Sequence, residues 1–502
     1  MPEPPAPFFG AGPSRSAPLA TWVDPIAALR AVRHARGAAL LYSGLTSHPE
    51  SRHSILAWDP LAEITLRQGT ATILRHPTRG GGAGAVESVR YEDPFTLLRQ
   101  LMPAVSGGAA DPAGRFGGPF CGGAIGWLGY GLRRSLERLP AAAADPLDQP
   151  DAWFGIYDGA VLFDHRERRV TCVAAPAAAA GEEGGKPMDI RLAALRAALS
   201  AASAGERPAT APVPGRDPLP GALRVMVEGE TPRTDYLARV RRVLDLIARG
   251  DLYQVNLSHR ISCPLSRTPL DLFEELMRIN PAPFAAYLEA AGLQTVCASP
   301  ERLVRLRGRE ALSSPIKGTR RRGFTPQEDA SLRRELGGSA KDRAENVMIV
   351  DLVRNDLGRV CAPGSVQVRT LCGLETFATV HHLVSTVEGR LREGLDRFDL
   401  LRALFPGGSM TGAPKIRAME VIAALEGEER GIYSGSIGYL SRDGSCDFNV
   451  VIRTLVCARG RAHLRVGGGI VADSDPAEEF EETLDKARAL LDVLGAELRT
   501  AD

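Results

Sequence analysis

The stretch "AHLRVGGGIVADSDPAEEFEETLDKARALLDVL", Ala462 to Leu494, passes from an alternating segment through three consecutive glycines into a helix signal. Asp475 suits the cap, Pro476 suits the first turn, and Phe480, Leu484, Ala487 and Leu491 recur as a helical apolar stripe. A strand running straight into a helix could open a parallel unit, but the surrounding segments decide otherwise. "LYQVNLSHRISC" (252–263), "GSIGYL" (435–440) and "DFNVVIRTLVCA" (447–458) also read as strands, and no strand–helix–strand rhythm links them. The expected fold class is α+β, with large antiparallel β-sheets in a sandwich flanked by helices.

Working outward, the glycine run lets a backbone approach a ligand closely and present N–H groups to an anion. It is not a dinucleotide fingerprint, because Ala472 stands where the third glycine belongs and the sheet does not look parallel. "EEGGKP" (182–187) is no phosphate loop either, lacking the first glycine and a Ser or Thr after Lys186. On the helix, Glu479, Glu482 and Lys486 share a face, and "KDRAENVMIVDLVRNDLG" (341–358) repeats the pattern with Asp342 and Glu345. Such carboxylates are either solvated faces or, meeting across a site, ligands for a hard cation such as Mg²⁺. Arg453, inside the apolar run "VVIRTL", needs an ion-pair partner or a carboxylated ligand.

Over the 502 residues, 61 Lys and Arg balance 60 Asp and Glu, so no global field recruits nucleic acid or an anionic membrane. "GTRRRG" (318–323) lacks the interleaved aromatics of a nucleic-acid footprint. No long apolar run or signal-peptide pattern is present, which points to the cytoplasm. Eight scattered cysteines without a CxxC pair are expected to be buried free thiols. Residues 1–18 read as a disordered tail and 19–173 as an N-terminal β-rich domain. Residues 174–225 read as a low-complexity insertion or linker with a short helical patch, and 226–502 form the second domain. "TDYLARVRRVLDLIARGD" in that domain predicts a helix with Leu237, Val240, Leu244 and Ile247 inward.

"SPERL", "PIKGTRRRG", "AENVMIVDLVRNDLGRV", "HHLVSTVEG", "FPGGSMTGAPKIRAMEVI", "GIYSGSIGYL" and the opening stretch together resemble the chorismate-utilising enzymes, in consistent order. The resemblance implies the anthranilate synthase component I-like fold, a chorismate-binding catalytic domain over 226–502, and a Mg²⁺-dependent site. Two positions sort the members. Isochorismate-type enzymes carry a water-activating lysine where this chain has Gln254, and anthranilate-forming members usually carry Ala where it has Lys317. "LLYSGLTSHPESRHSILAWDP" (40–60), "FCGGAIGWLGYGL" (120–132) and "QPDAWFGIYDGAVLFDH" (149–165) also resemble the members that aminate chorismate at C4.

The resemblance then implies roles residue by residue. Lys317 is the covalent nucleophile, Glu301 the general acid, and His382 a residue near the ring C4. Glu345 and Glu482 are the Mg²⁺ ligands, with Asp342 and Glu479 behind them. Ser409, Tyr433, Arg453, the Gly469 backbone and Lys486 contact the substrate. A free lysine, of pKa about 10.4, is almost wholly protonated at neutral pH, so burial and nearby cations, Lys486 and Arg453 by position, are expected to favour the free amine. No Gly-x-Cys-x-Gly turn with a downstream His-x-Glu exists, and "SHPES" (47–51) reads as a polar loop, so ammonia is expected from a separate glutamine amidotransferase subunit. The alternatives are an anthranilate-forming component and a non-catalytic subunit of the same fold. Whether the N-terminal half binds an effector such as tryptophan is not legible.

Overall fold

Segments that alternate apolar and polar residues pair into two large antiparallel sheets, of 11 and 12 strands among the described residues. The computed structural model describes residues 8–10, 12–46, 48–77, 84–103, 118–140, 145–177, 186–203, 225–227, 229–377 and 380–498. The first sheet is organised on the strand Gln254–Pro264, paired along its length with Arg461–Ile470. The second includes Ile316–Arg321 and Val380–Arg390, paired antiparallel. Trp127 and Trp153 of the second sheet stack at 5.3 Å and pack with Ala286, Leu288, Cys297 and Val456 of the first, so the sheets form a sandwich. Helices Pro269–Ile279 and Pro476–Leu494 cover the outer face of the first sheet, and Ala340–Gly358 and Arg397–Leu404 that of the second.

The sequence boundary at 174–225 does not divide the sheets. Ala39–Tyr42 pairs with the strand Phe284–Ala290, and Gly123–Leu128 with Ser436–Ser441. Each half supplies strands whose edges the other half completes, which removes exposed edges that neither could cover alone. Within the linker, Lys186–Ser203 is a helix with Leu195 and Leu199 buried in the first sheet's core, while 178–185 and 204–224 lie outside the described residues. The tail expectation is corrected from Phe8 onward. Arg15–Pro18 pairs with Arg169–Ala174, the Arg75 guanidinium lies 4.6 Å over the buried Phe8 ring, and Arg442 donates to the Gly10 and Gly12 carbonyls. Residues 1–7 lie outside the described residues.

The final helix starts and stops as its sequence signals. Asp475 accepts from the Ala477 and Glu478 amides, and Gly495 ends it in a left-handed conformation. Phe480, Ala487 and Leu491 are buried and Leu484 is half-buried. In the helix Arg233–Ala248 the buried face is turned slightly, to Tyr236, Leu237, Val240, Val243 and Leu246. All eight cysteines are free and buried, and no helix among the described residues is long and apolar enough to cross a membrane.

One correction positions the site. "DFNVVIRTLVCA" is not one strand: Cys446–Asn449 belongs to the second sheet and Thr454–Ala458 to the first. Arg453 therefore lies at the crossing between sheets, with φ +50°, rather than inside a strand. A second crossing runs beside it, from Leu293–Ser299 to Arg302–Arg307, and carries Glu301. The two are tied together, since the Ser299 hydroxyl donates to Val450 O at 2.6 Å and the Val450 amide to Glu301 O at 3.0 Å.

Candidate active site

At the paired crossings, Glu301 is buried, accepts from the Ser409 hydroxyl and the Ile316 amide, and feels Lys317 and Arg453. Burial outweighs those interactions and pushes its carboxyl from 4.5 up to about 7. It is a proton donor poised at neutrality. Burial draws the Arg453 guanidinium down to about 10, with Glu301 opposing the shift, so it stays cationic. Arg453 Nη2 faces the His382 ring Nε2 at 3.3 Å.

His382 stands in Val380–Arg390, its Nδ1 3.0 Å from Thr319 Oγ1 and 3.3 Å from Gly318 O. Burial, with Arg453 adding to it, lowers the imidazole to about 3, so the ring is neutral. Because Arg453 has only donors to offer, Nε2 accepts and Nδ1 carries the proton toward Gly318 O. Phe377 holds the ring edge-on at 5.0 Å, and His48 stacks on Phe377 at 5.2 Å while bonding Glu375 at 2.8 Å. His48, in the polar loop 48–51, thus braces Phe377 behind His382.

The lysine segment is the strand Ile316–Arg321. Its register with Val380–Arg390 shifts at Gly318, which has φ +77°, and a Cβ there would lie 2.9 Å from Asp342 Cβ. That bulge aims Lys317 inward and lets the acidic helix Ala340–Gly358 pack against the strand. The Lys317 side chain is 12% exposed, and its ammonium lies 3.8 Å from Glu345 Oε2. A carboxylate therefore stands closest, where the sequence suggested cations; Lys486 turns instead to Glu482 at 2.7 Å and Gly467 O at 2.8 Å.

Gly467–Gly469 stays in the sheet, paired with Leu257–Ser258 and Asn256. Its missing side chains make room for neighbours instead. A Cβ on Gly468 would lie 2.8 Å from Glu479 Oε2, and one on Gly469 2.8 Å from Lys317 Nζ and closer still to Gln254 Nε2. Gly469→Ala is expected to keep the fold, displace Lys317, and lower turnover about 100-fold, measured as kcat beside an unchanged circular dichroism spectrum. Gln254 is fully buried, and neither of its amide atoms has a hydrogen-bond partner among the described residues.

Glu345 and Glu482 come from the helices Ala340–Gly358 and Pro476–Leu494. Glu482 is held below the usual carboxylate range by Lys486, with Lys317 and Lys341 adding to it, whereas burial raises Glu479, which accepts from Ser474 Oγ at 2.6 Å. Glu345 and Glu482, which share Lys317 as a neighbour, offer hard-oxygen donors that fit a Mg²⁺ completed by water and an anionic substrate. Among the described residues no cluster of three or more His, Cys, Asp or Glu closes a cage. Tyr433 is buried and remains a phenol, its pKa raised to about 12 by burial.

The sequence reading thus named groups that the structure collects from both sheets and two helices. It missed Thr319 and Phe377, which fix His382, and Arg430, which lies beneath Ser409 and Tyr433. Arg320, Arg321 and Arg322 pair with Glu335, Glu328 and Asp329 of the neighbouring helix Pro326–Gly338. A separate cavity of about 280 Å³ includes Tyr42, Glu50, Arg302 and Asp447 in its lining, so adjacent Glu301 and Arg302 serve different spaces.

A buried Glu301 carboxyl, a sequestered Lys317, a cationic Arg453 and the Glu345 and Glu482 carboxylates give the site the makings of an enzyme for a small anionic substrate. The chain belongs to the chorismate binding enzyme family, whose model matches residues 42–492. It is 44% identical over 403 residues to anthranilate synthase component 1 of Streptomyces coelicolor, covering 80% of this chain and 77% of that protein. It is 41% identical over 454 residues to aminodeoxychorismate synthase component 1 of Klebsiella aerogenes, covering 90% and 93%. Its fold matches the crystal structure of anthranilate synthase component I from Streptococcus pneumoniae TIGR4, with TM-score 0.72, 31% identity and coverage of 88% and 92%.

Proposed function

We propose that the chain replaces the C4 hydroxyl of chorismate with an amino group and keeps the enolpyruvyl ether, giving 4-amino-4-deoxychorismate for 4-aminobenzoate and folate synthesis. This is the activity of an aminodeoxychorismate synthase component I. The observation that carries the reading is the shielded Lys317 amine in the same site as a buried Glu301 that is half-protonated near pH 7. Unprotonated Lys317 forms a bond to C2 while both ring double bonds shift, from C1=C2 and C5=C6 to C1=C6 and C4=C5, and the C4 hydroxyl departs as water, taking its proton from Glu301. Ammonia then bonds to C4, both double bonds return and the Lys317 amine leaves, so one difficult displacement becomes two easier ones. Arg453, Tyr433, Lys486 and the Gly469 backbone hold the substrate carboxylates, and neutral His382 keeps Arg453 aimed. Glu345 and Glu482 would hold Mg²⁺, which supplies positive charge for the ring carboxylate when bound.

The ammonia comes from a glutamine amidotransferase partner, a reading supported by the "component 1" in the relatives' names. The eight free thiols fit a cytoplasmic setting. The anthranilate-named relative favours a second reading, in which pyruvate is also expelled. Incubation with chorismate, Mg²⁺ and ammonium separates the two. An aminated product that retains the enolpyruvyl mass is expected. Fluorescent anthranilate without any lyase would replace this reading with the second, and unchanged chorismate would point to a non-catalytic subunit.

A further inference from the structure

Arg430 is 2% exposed, and its guanidinium hydrogen bonds to none of the side chains assigned to the reaction. All of its N–H groups are nonetheless engaged. Nε and one Nη2 hydrogen bond to Glu426, at 2.8 and 2.6 Å. Nη1 donates to Met410 O at 2.8 Å and Ser434 Oγ at 3.1 Å, and Nη2 also donates to Asn256 O at 2.6 Å. The guanidinium lies 4.8 Å from the Tyr130 ring centroid and 5.9 Å from that of Tyr433.

Each neutral acceptor adjoins a site residue. Met410 follows Ser409, the donor to Glu301. Ser434 follows Tyr433, has φ +63°, and its amide bonds Val451, two residues before Arg453. Asn256 is opposite Gly469 and two residues along the strand from Gln254. Balancing Glu426 requires only an ion pair, and Glu426 already has Arg465 Nη2 at 3.2 Å and the Ser258 amide and hydroxyl at 2.8 Å. The three bonds to Met410, Ser434 and Asn256 do something else: they fix three separately folded segments to one rigid planar fork.

We propose that Arg430 is a positioning residue that registers the Ser409 turn, the Tyr433 turn and the Gln254 strand against one another. The kinetic part of the test rests on the amination reading above, whereas chorismate affinity does not depend on which product forms. Arg430→Lys keeps the charge beside Glu426 but presents one nitrogen, so it separates registration from charge balance.

Full-length Arg430→Lys is expected to fold by circular dichroism, to lose about 30-fold in kcat with ammonium, and to bind chorismate about 5-fold more weakly by titration calorimetry. Because Ser409 would no longer be held against Glu301, among Lys317, Arg453 and the Ile316 amide, the fall of kcat with rising pH is expected to move to higher pH. In a Ser409→Ala background the same change is expected to cost less than about 3-fold in kcat. Wild-type kcat, affinity and pH profile per folded molecule, or full additivity with Ser409→Ala, would overturn the proposal whatever the melting temperature. If Arg430→Lys does not fold, Ser434→Ala carries the test. It is expected to weaken chorismate binding about 3-fold or more, and unchanged affinity would refute the inference. Wild-type protein that binds chorismate without aminating it would sink the proposed function alone, leaving the affinity arm to judge Arg430.

Discussion

Lys317→Ala is expected to lower chorismate amination by about 1,000-fold or more while chorismate affinity changes only a few-fold, because in the proposed reaction the missing group is the nucleophile rather than a substrate anchor. In the proposed function the substrate's carboxylates are held by Arg453, Tyr433, Lys486, Gly469 and a cation on Glu345 and Glu482, none of which the substitution removes. The Lys317 side chain extends toward Glu345 at 3.8 Å, so truncating it leaves space beside an acidic group without opening the sheets. Lys317→Arg should be as inactive despite keeping the charge, since an arginine is not a free amine at neutral pH. Turnover comes from product mass and binding from calorimetry. Wild-type protein given chorismate without ammonia should also show an adduct on the Lys317 peptide equal to chorismate less one water. An alanine variant with normal turnover would end the covalent route.

Glu301→Gln is the second large effect, with an expected loss of about 100- to 1,000-fold in kcat and little change in affinity. The pH profile carries the sign. In the proposed reaction protonated Glu301 is the acting species, so wild-type kcat should decline as pH rises through about 7. The glutamine variant should lack that decline. Glu301 should also lower wild-type stability over the same rise in pH. Its folded pKa is raised above the unfolded value of 4.5, so its contribution is fully present below pH 4.5 and lost as pH rises through about 7. At pH 8 the buried carboxylate is charged, and removing it should stabilise the fold by about 2 kcal/mol, read from denaturant unfolding at pH 8 against pH 5. A variant less stable than wild type at pH 8 would show that the carboxylate is not desolvated as described.

The contrast between Glu426–Arg430 and Glu482–Lys486 explains how far the site was legible. Both pairs are spaced i, i+4, and in sequence both look like ordinary ion pairs on a solvated helix face. The second is half-exposed beside the glycine strand, whereas both side chains of the first are at most 1% exposed, under the turns that hold Ser409 and Tyr433. Spacing carries no information about which face another sheet will cover. The same limit explains Arg453: "VVIRTL" has the composition of a continuous strand, and only pairing with distant partners shows that it leaves one sheet for the other.

By itself the chain's order of residues determined the local elements and the chemistry available. Asp475, Pro476 and Gly495 bound the last helix, alternation marks the strands, and the residue types of Lys317, Glu301, Glu345 and Glu482 are written in the sequence, since capping and periodicity act within a few residues. Tertiary structure alone decided that Glu301 is half-protonated near neutrality, that His382 is neutral and turned to Arg453, and that Lys317 faces a carboxylate. Those states depend on the exclusion of water and on charges contributed by segments far apart in the chain, which come together only when the two sheets close.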